Sequence, residues 1–191
     1  GNSANDVDTD EYLYIGLPVQ HIENWEEKPS AFDVGYFYGG DLSGVREKFA
    51  YLKDLGVEVI YFNPLFVSPS NHKYDTQDYE HIDPHLTVIA EDGGELLPAE
   101  AGDNLNATRY QKRSADPKNL EASDRFFAAF TEEAHRFGFR ILLDGVFNHC
   151  GSFHKWLDRE KIYAREGGYA PGAYLTPDSP YRKYFVFADN R

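Results

Sequence analysis

The chain repeats one order of elements, in which an amphipathic helix is followed by a glycine and then by an apolar strand. In residues 42–55, apolar side chains recur at steps of three and four, the spacing of one helical face. This face consists of Val45, Phe49, Leu52 and Leu55. Asp41 is placed to cap the start of the helix, and Gly56 is placed to end it. The following run, Val57–Phe62, predicts a strand.

The same order returns between residues 123 and 143. Ser123 is placed to cap a helix over residues 124–137, and Gly138 follows its last turn. The apolar face of this helix consists of Phe127, Phe130, Ala134 and Phe137. The run Phe139–Leu143 shows little alternation, which is typical of a strand buried on both faces of a parallel sheet. Two such units in series predict adjacent parallel strands joined by a right-handed crossover through the helix.

Polar side chains follow the second strand directly, at Asp144, Asn148 and His149. The segment after the first strand, residues 68–79, is also dense in polar and aromatic groups. Because ligands of α/β folds bind at the carboxyl ends of parallel strands, these two segments are expected to form a functional site.

The remaining segments show no clear period. Residues 86–121 are acidic and rich in Gly, Ala and Pro, which predicts a loop inserted between the two units. Residues 150–191 form an aromatic excursion after the second strand.

Composition narrows the class of protein. A hydrophobic content of 41% and an aromatic content of 16% indicate a folded globular chain. The net charge of −13 argues against nucleic acid and anionic membranes as partners, since both attract a basic surface. No apolar run reaches the roughly 18 residues of a membrane span, and no leader is expected. The single cysteine, Cys150, rules out an internal disulfide and favours a reducing, cytoplasmic location.

Several other kinds of site lack support. Asp6, Asp8 and Asp10 begin like a calcium loop, but the required glycine and glutamate are missing from its sixth and twelfth positions. A zinc site formed by the side chains around Cys150 lacks a fourth ligand at suitable spacing. Its candidate ligands are His149, Cys150 and His154. Neither a Gly-x-Ser-x-Gly elbow nor a phosphate-binding glycine loop is present, so esterase and nucleotide functions are not indicated.

Four motifs stand in order on the predicted elements. They are Tyr-Gly-Gly-Asp-Leu-x-Gly at 38–44, Val-Ile-Tyr-Phe-Asn-Pro-Leu-Phe at 59–66, Ser-Pro-Ser-Asn-His-Lys-Tyr-Asp-Thr at 68–76 and Asp-Gly-Val-Phe-Asn-His at 144–149. Together they resemble the neopullulanase and cyclomaltodextrinase branch of the α-amylase family, glycoside hydrolase family 13. The resemblance implies an α/β fold, a partial (β/α)8 TIM barrel.

The resemblance also implies a domain organisation. Residues 1–149 would belong to the catalytic barrel, with the loop insertion at about 86–121. Val57–Phe62 would be barrel strand 2 and Phe139–Leu143 barrel strand 3. Residues 150–191 would begin the small domain, domain B, that the family inserts after strand 3.

The activity implied is retaining hydrolysis of α-glucosidic bonds in maltodextrins and starch-type oligosaccharides. By resemblance, Tyr74 stacks on the sugar beside the scissile bond and His149 hydrogen-bonds the same sugar. Asp144 and Asn148 match positions that hold the strand-end architecture. An aromatic plate and an imidazole suit the apolar face and the hydroxyls of a sugar. The expected partner is an α-glucan or a maltooligosaccharide, and the resemblance allows a homodimer of the parent protein.

A structural Ca2+ site is a further implication of the resemblance. Asn2, Asn5 and Asp6 match the family's metal-binding loop, and Gly39 and Asp41 match the second half of the site. All five offer the hard oxygen ligands that Ca2+ requires. The family's first loop asparagine would precede Gly1 and is not in the sequence. Asp41 has a competing role as a helix cap.

The catalytic groups of the family are not found in these 191 residues. The Gly-x-Arg-x-Asp motif of the nucleophile, the acid Glu and the later His-Asp pair are all missing. A full barrel takes about 250 residues. The chain is therefore expected to be a slice of a larger enzyme, without hydrolytic activity alone. The alternative is an amylase-like carbohydrate-binding or scaffold protein without catalysis, and residues after Arg191 would distinguish the two. The sequence does not determine the exact substrate, nor whether the parent enzyme catalyses hydrolysis or transglycosylation.

Overall fold

The computed structural model describes Tyr14, residues 19–20, 22, 24, 26–28 and 31–32, and residues 34–188. These residues form five α-helices and four β-strands. The elements are α1 (Leu42–Glu47), α2 (Phe49–Asp54), β1 (Val59–Phe62), β2 (Phe66–Val67), β3 (Asp78–Ile82), α3 (Thr108–Ala115), α4 (Pro117–Arg136), β4 (Arg140–Leu143) and α5 (Ile162–Glu166). Short 3-10 turns lie at Pro84–Leu86 and Arg182–Tyr184.

The two predicted strands are adjacent and parallel, as expected. β1 pairs with β4 in a register that joins Val59 to Arg140 and Phe62 to Leu143. Helix α4 lies between the two strands in the sequence. Its residue Phe130 packs in one core with residues of both strands. Both strands are shorter than predicted, because pairing begins only at Val59 and Arg140.

The prediction that the second strand, Phe139–Leu143, is buried on both faces is wrong for the described residues, and β1 shares its open face. Ile60 and Ile141 pack against the helical core. On the opposite face, Tyr61 is 59% exposed and Leu142 is 53% exposed. The physical reason is that, among the described elements, helices cover only one face of this two-stranded sheet.

The first predicted helix is divided in two. Asp41 caps it as expected, since its Oδ1 accepts a hydrogen bond of 2.7 Å from the Gly44 amide. At Lys48 the backbone leaves the helical conformation, with φ −97° and ψ 5°, so that α1 ends and α2 begins. Phe49, at the start of α2, is buried against Phe130 and Phe139. The spacing of apolar residues continues across Lys48 without interruption, so the sequence predicts a single helix.

Helix α4 begins earlier than predicted. Its N-cap is Asp116, whose side chain accepts from the Lys118 amide at 2.8 Å, with Pro117 as the first helical residue. Ser123 is therefore inside the helix and does not cap it. Its hydroxyl donates to the Ile82 carbonyl at 2.7 Å, which ties α4 to β3.

The predicted loop at 86–121 contains helix α3 and the first turn of α4, so a loop is the wrong description for that part. Its apolar residues form a second core with the segment after β4. The buried members are Tyr14, Leu97, Ala107, Tyr110, Ala115, Ile162 and Tyr163. At its centre the Gln77 amide oxygen accepts from Tyr110 at 2.6 Å, and its nitrogen donates to the Tyr163 hydroxyl at 3.1 Å.

The antiparallel pair of β2 and β3 has no counterpart in the predictions. Phe66 pairs with Ile82 and Val67 with Asp78, with an irregular register between them. The β3 sequence, Asp-Tyr-Glu-His-Ile, is largely polar and lacks the alternation that marks a strand. Among the described helices, none is long and apolar enough to cross a membrane.

Gly56 offers a test of how the first unit is closed. Its φ of +85° is in the left-handed region, while an added Cβ would meet no atom within 4 Å. We expect Gly56→Ala to lower the free energy of unfolding by about 1–2 kcal/mol through backbone strain alone. Urea denaturation measures this loss.

Gly93→Ala is the matched control, because a Cβ at Gly93 also meets nothing within 4 Å and Gly93 is not among the glycines with positive φ. We expect its unfolding midpoint to stay within error of the parent chain. Equal effects of the two substitutions would contradict a backbone origin.

Candidate functional site

Asp144 is the centre of a hydrogen-bonded group at the carboxyl ends of β1 and β4. Its amide donates to the Phe62 carbonyl at 3.1 Å, which extends the ladder one residue beyond the strands. Its Oδ2 accepts from the Tyr61 hydroxyl at 2.6 Å and from the Tyr74 hydroxyl at 2.8 Å. The structure therefore joins two of the predicted site residues, Tyr74 and Asp144, through a third that the sequence did not indicate.

Tyr61 is not among the predicted site residues, because it lies within the predicted strand Val57–Phe62 and not after it. Its neighbour across the sheet is Leu142, on the face left open by the helices. The available signal was its position next to the last residue of a strand, from which a long phenol reaches the strand end. Tyrosine hydroxyls seek a polar partner at such places.

The two phenols change the ionisation of the group. Hydrogen bonds from Tyr61 and then from Tyr74 hold the pKa of Asp144 below its usual range. Reciprocally, the Asp144 carboxylate raises the pKa of Tyr61 to about 12 and also raises that of Tyr74. Near neutral pH the group is an anionic carboxylate held by two neutral phenols.

The segment that carries Tyr74 is fixed by a buried ion pair. Lys73 has a positive φ of 58°, and its buried ammonium lies 2.7 Å from Asp83 Oδ2. The same ammonium donates to the Ser68 carbonyl at 2.8 Å. Burial alone would raise the pKa of Asp83, but Lys73 and His85 hold it well below the usual range. These bonds offset the strain of the left-handed backbone next to Tyr74.

Asn148 and His149 are exposed and lie in a different part of the site. Both line a cavity of about 460 Å³, and Tyr74 is not among the described residues that line it. The turn before the cavity is held by Tyr79 of β3, whose hydroxyl is 2.6 Å from the Val146 carbonyl and also contacts that of His149. The two predicted sugar-binding residues are therefore positioned separately. Tyr74 depends on the ion pair of Lys73, and His149 depends on the hydroxyl of Tyr79.

His154, a candidate zinc ligand, is buried and packs against the rings of Tyr79 and Trp156. Its ring is fully buried, and Nδ1 accepts from the Trp156 amide at 3.1 Å. Burial, and then Lys155, lower the pKa of His154 to about 4, so that the imidazole is neutral. Within residues 34–188 and the other described positions, no group of three or more His, Cys, Asp or Glu could hold a metal ion.

Only half of the predicted Ca2+ site falls on described residues. Gly39 has a φ of +70°, and Asp41 is 5% exposed and caps α1. Asn2, Asn5 and Asp6 lie outside the described residues. The described half offers one carboxylate and one carbonyl, which are oxygen donors of the type that Ca2+ takes.

Chemically, the described part of the site brings one carboxylate together with two phenols. Retaining glycosidases use two carboxyl groups about 5–5.5 Å apart. The hydrogen-bond partners of the Asp144 side chain are phenols. The arrangement can present aromatic faces and one phenol-bonded carboxylate to a ligand.

Comparison with known proteins gives a consistent family. The model described as "Alpha amylase, catalytic domain" matches residues 2–95 and 122–191, leaving 96–121 unmatched. A cyclomaltodextrinase from Thermoanaerobacter pseudethanolicus is 36% identical over 132 residues, which cover 69% of this chain. An intracellular maltogenic amylase from Bacillus subtilis is 39% identical over 127 residues, or 66% of this chain. These findings confirm the resemblance drawn from the four motifs.

A solved structure agrees in fold. The type III pullulan hydrolase from Thermococcus kodakarensis superposes with a TM-score of 0.57 and 26% identity, covering 100% of this chain and 26% of its own. The present chain spans 16% of the cyclomaltodextrinase and 16% of the maltogenic amylase.

The phenol pair around Asp144 leads to a test by titration. In Tyr61→Phe the carboxylate loses one donor, so the pKa of Asp144 should rise toward its ordinary value. Carbon-detected NMR of the carboxyl resonance measures the change. Because the folded-state pKa is depressed, these bonds stabilise the fold above the ordinary carboxyl pKa, and the contribution disappears as pH falls through the folded-state pKa.

Tyr174→Phe serves as the control, since Tyr174 is an exposed tyrosine with no contact to Asp144 among the described hydrogen bonds. An Asp144 titration that is the same in Tyr61→Phe and in the control would show that the bond to Tyr61 does not form in solution.

Proposed function

This chain belongs to the α-amylase catalytic-domain family, and we propose that it supplies sugar-binding residues to a retaining hydrolase of maltodextrins and starch-type oligosaccharides. The observation that carries the proposal is the group at the strand ends. There the motif residues Tyr74 and Asp144 are hydrogen-bonded at 2.8 Å. The names of the relatives, which include a cyclomaltodextrinase and a maltogenic amylase, support an α-glucan as ligand.

In this proposal β1 and β4 are strands 2 and 3 of a (β/α)8 barrel. Their open face, with Tyr61 and Leu142, is then the face toward the barrel interior, where layers of side chains from other strands would cover it. Residues 150–191 begin domain B, and the structure describes them as far as residue 188. Their irregular, aromatic-rich structure is consistent with an excursion from a strand end.

Each motif residue has a role that its contacts suit. The Tyr74 ring, 36% exposed, offers a flat apolar face to a sugar, and Asp144 fixes its hydroxyl end. His149 offers ring nitrogens to sugar hydroxyls from a turn that Tyr79 holds. Asp144 and Asn148 hold the architecture of the strand end in place. Asp144 also anchors the hydroxyl of Tyr74.

We further propose that the nucleophile and the acid lie outside these 191 residues. Positioning of a sugar without a covalent or proton-transfer route gives no turnover. The purified chain should therefore bind maltoheptaose weakly and leave a chromogenic maltoside intact. Calorimetry measures binding, and release of the chromophore measures hydrolysis.

Tyr74→Ala should weaken binding by about two- to twelve-fold, the range expected for one aromatic contact. Tyr174→Ala, which removes an exposed tyrosine elsewhere, should have no effect. Absence of maltoheptaose binding by the folded wild-type chain would overturn the sugar-binding role. Turnover that persists through purification and disappears in Asp144→Asn, but not in Asp178→Asn, would make Asp144 catalytic.

A Ca2+ ion at Asn2, Asn5, Asp6, Gly39 and Asp41 is also proposed, with a structural role. When bound, the ion would add stability to the fold according to RT ln(1 + [L]/Kd). We expect the melting temperature to rise with added Ca2+ and to fall with chelator.

The helix cap and the metal ligand can be separated at Asp41. Asp41→Ser keeps a side-chain oxygen that caps α1 but removes the carboxylate. This variant should melt close to the wild type in chelator and respond less to Ca2+. Equal responses of the two proteins to Ca2+ would remove Asp41 from the site.

For location, we propose the cytoplasm. The support is the named intracellular maltogenic amylase of Bacillus subtilis, together with the single cysteine of this chain. Thiols stay reduced in that compartment.

A further inference from the structure

The cavity that contains His149 has a wall built by the segment after β4. Trp156 and Tyr184 supply this wall, with ring centroids 5.3 Å apart and planes tilted by 35°. Tyr184 is 57% exposed and Trp156 is half-buried, so both rings present area to the cavity. Tyr79 and Phe147 also line the cavity.

We propose that Trp156 and Tyr184 form a second stacking surface for an α-glucan, next to the sugar unit that His149 contacts. This inference rests on the proposed function and extends it to a further sugar unit of the same ligand. Aromatic faces cover the apolar faces of sugar rings, while Asn148 and His149 offer hydrogen bonds to the hydroxyls.

The chemistry of the lining favours a neutral ligand. None of the described residues that line the cavity is Asp, Glu, Lys or Arg. Lys183, which does not line the cavity, has its ammonium 5.1 Å from the centre of the Tyr184 ring. The volume, about 460 Å³, is within the roughly 300–1,000 Å³ of small-molecule sites.

Trp156, one of the two rings of the wall, is held in place by buried neighbours before a ligand arrives. The Trp156 amide donates to His154 Nδ1, and the two rings meet edge to face at 4.9 Å. Lys155 is anchored to the buried Asp78 carboxylate of β3 at 2.8 Å. The Trp156 carbonyl accepts from the Ala173 amide at 2.7 Å. A preformed aromatic surface costs little conformational entropy on binding.

Tryptophan fluorescence gives a direct test, because the chain has two tryptophans. In a Trp25→Phe background the emission reports on Trp156 alone. Titration of the purified chain with maltoheptaose should change this emission. Tyr184→Ala should raise the Kd by about two- to twelve-fold, and Tyr184→Phe, which keeps the ring, should bind like the parent chain.

Tyr174→Ala is the matched control, since Tyr174 lies in the same segment, is 47% exposed and does not line the cavity. Tyr184→Leu keeps apolar bulk without a flat ring and should bind as weakly as Tyr184→Ala. Circular dichroism checks that each variant is folded.

The outcomes separate this inference from the proposed function. If Tyr74→Ala weakens binding while Tyr184→Ala and Tyr184→Leu do not, the second surface is overturned and the proposed function stands. If the folded parent chain binds no maltoheptaose, both are overturned. If Tyr184→Ala lowers the melting temperature at unchanged affinity, the cavity serves packing, and the inference is again overturned.

Discussion

The parallel register of β1 and β4 determines where Tyr61 and Asp144 meet at the strand ends. Because Phe62 pairs with Leu143, the next amide, that of Asp144, donates to the Phe62 carbonyl. The Asp144 carboxylate is thereby placed beside the end of β1, where Tyr61 reaches it. A shift of one residue would send alternate side chains to the opposite face and would separate this group.

Buried polar side chains fix the positions of the loops, as the register fixes the positions of the strand residues. Asp83 holds the segment before Tyr74 through Lys73, and Asp78 holds the segment before Trp156 through Lys155. Asp158 accepts from the Tyr163 and Ala164 amides at 3.1 and 2.8 Å, which fixes the start of α5. Removing the partner of a buried carboxylate is strongly destabilising, so each anchor favours the loop conformation that supplies its partner.

The sequence predicts the local units of this fold and their parallel pairing well, and the other contacts between distant segments poorly. The helix–glycine–strand order, the cap at Asp41 and the parallel pair all follow from period and capping residues, which are local signals. The start of α4 was misplaced because Asp116-Pro117 and Ser123 are both acceptable starts, and tertiary contacts decided between them. The β2–β3 pair was not predicted, because its polar sequence is stabilised by neighbours that it contacts only in the folded chain.

At the site, motif resemblance indicated Tyr74, Asp144 and His149. The link through Tyr61 depends on the strand register, so it is visible only in the structure.

The shared core of the insertion and the segment after β4 has an evolutionary consequence. Residues 96–121 are left unmatched by the family model, yet Tyr110 within them packs in one buried cluster with Tyr163 and joins it through Gln77. Loss of the insertion would uncover Tyr163 and remove the hydroxyl that donates to the Gln77 amide oxygen. Within this chain, the insertion and the start of the segment after β4 are therefore coupled through these buried contacts. Substitutions at Gln77, Tyr110 and Tyr163 should be correlated across lineages, even though these three residues lie far apart in the chain.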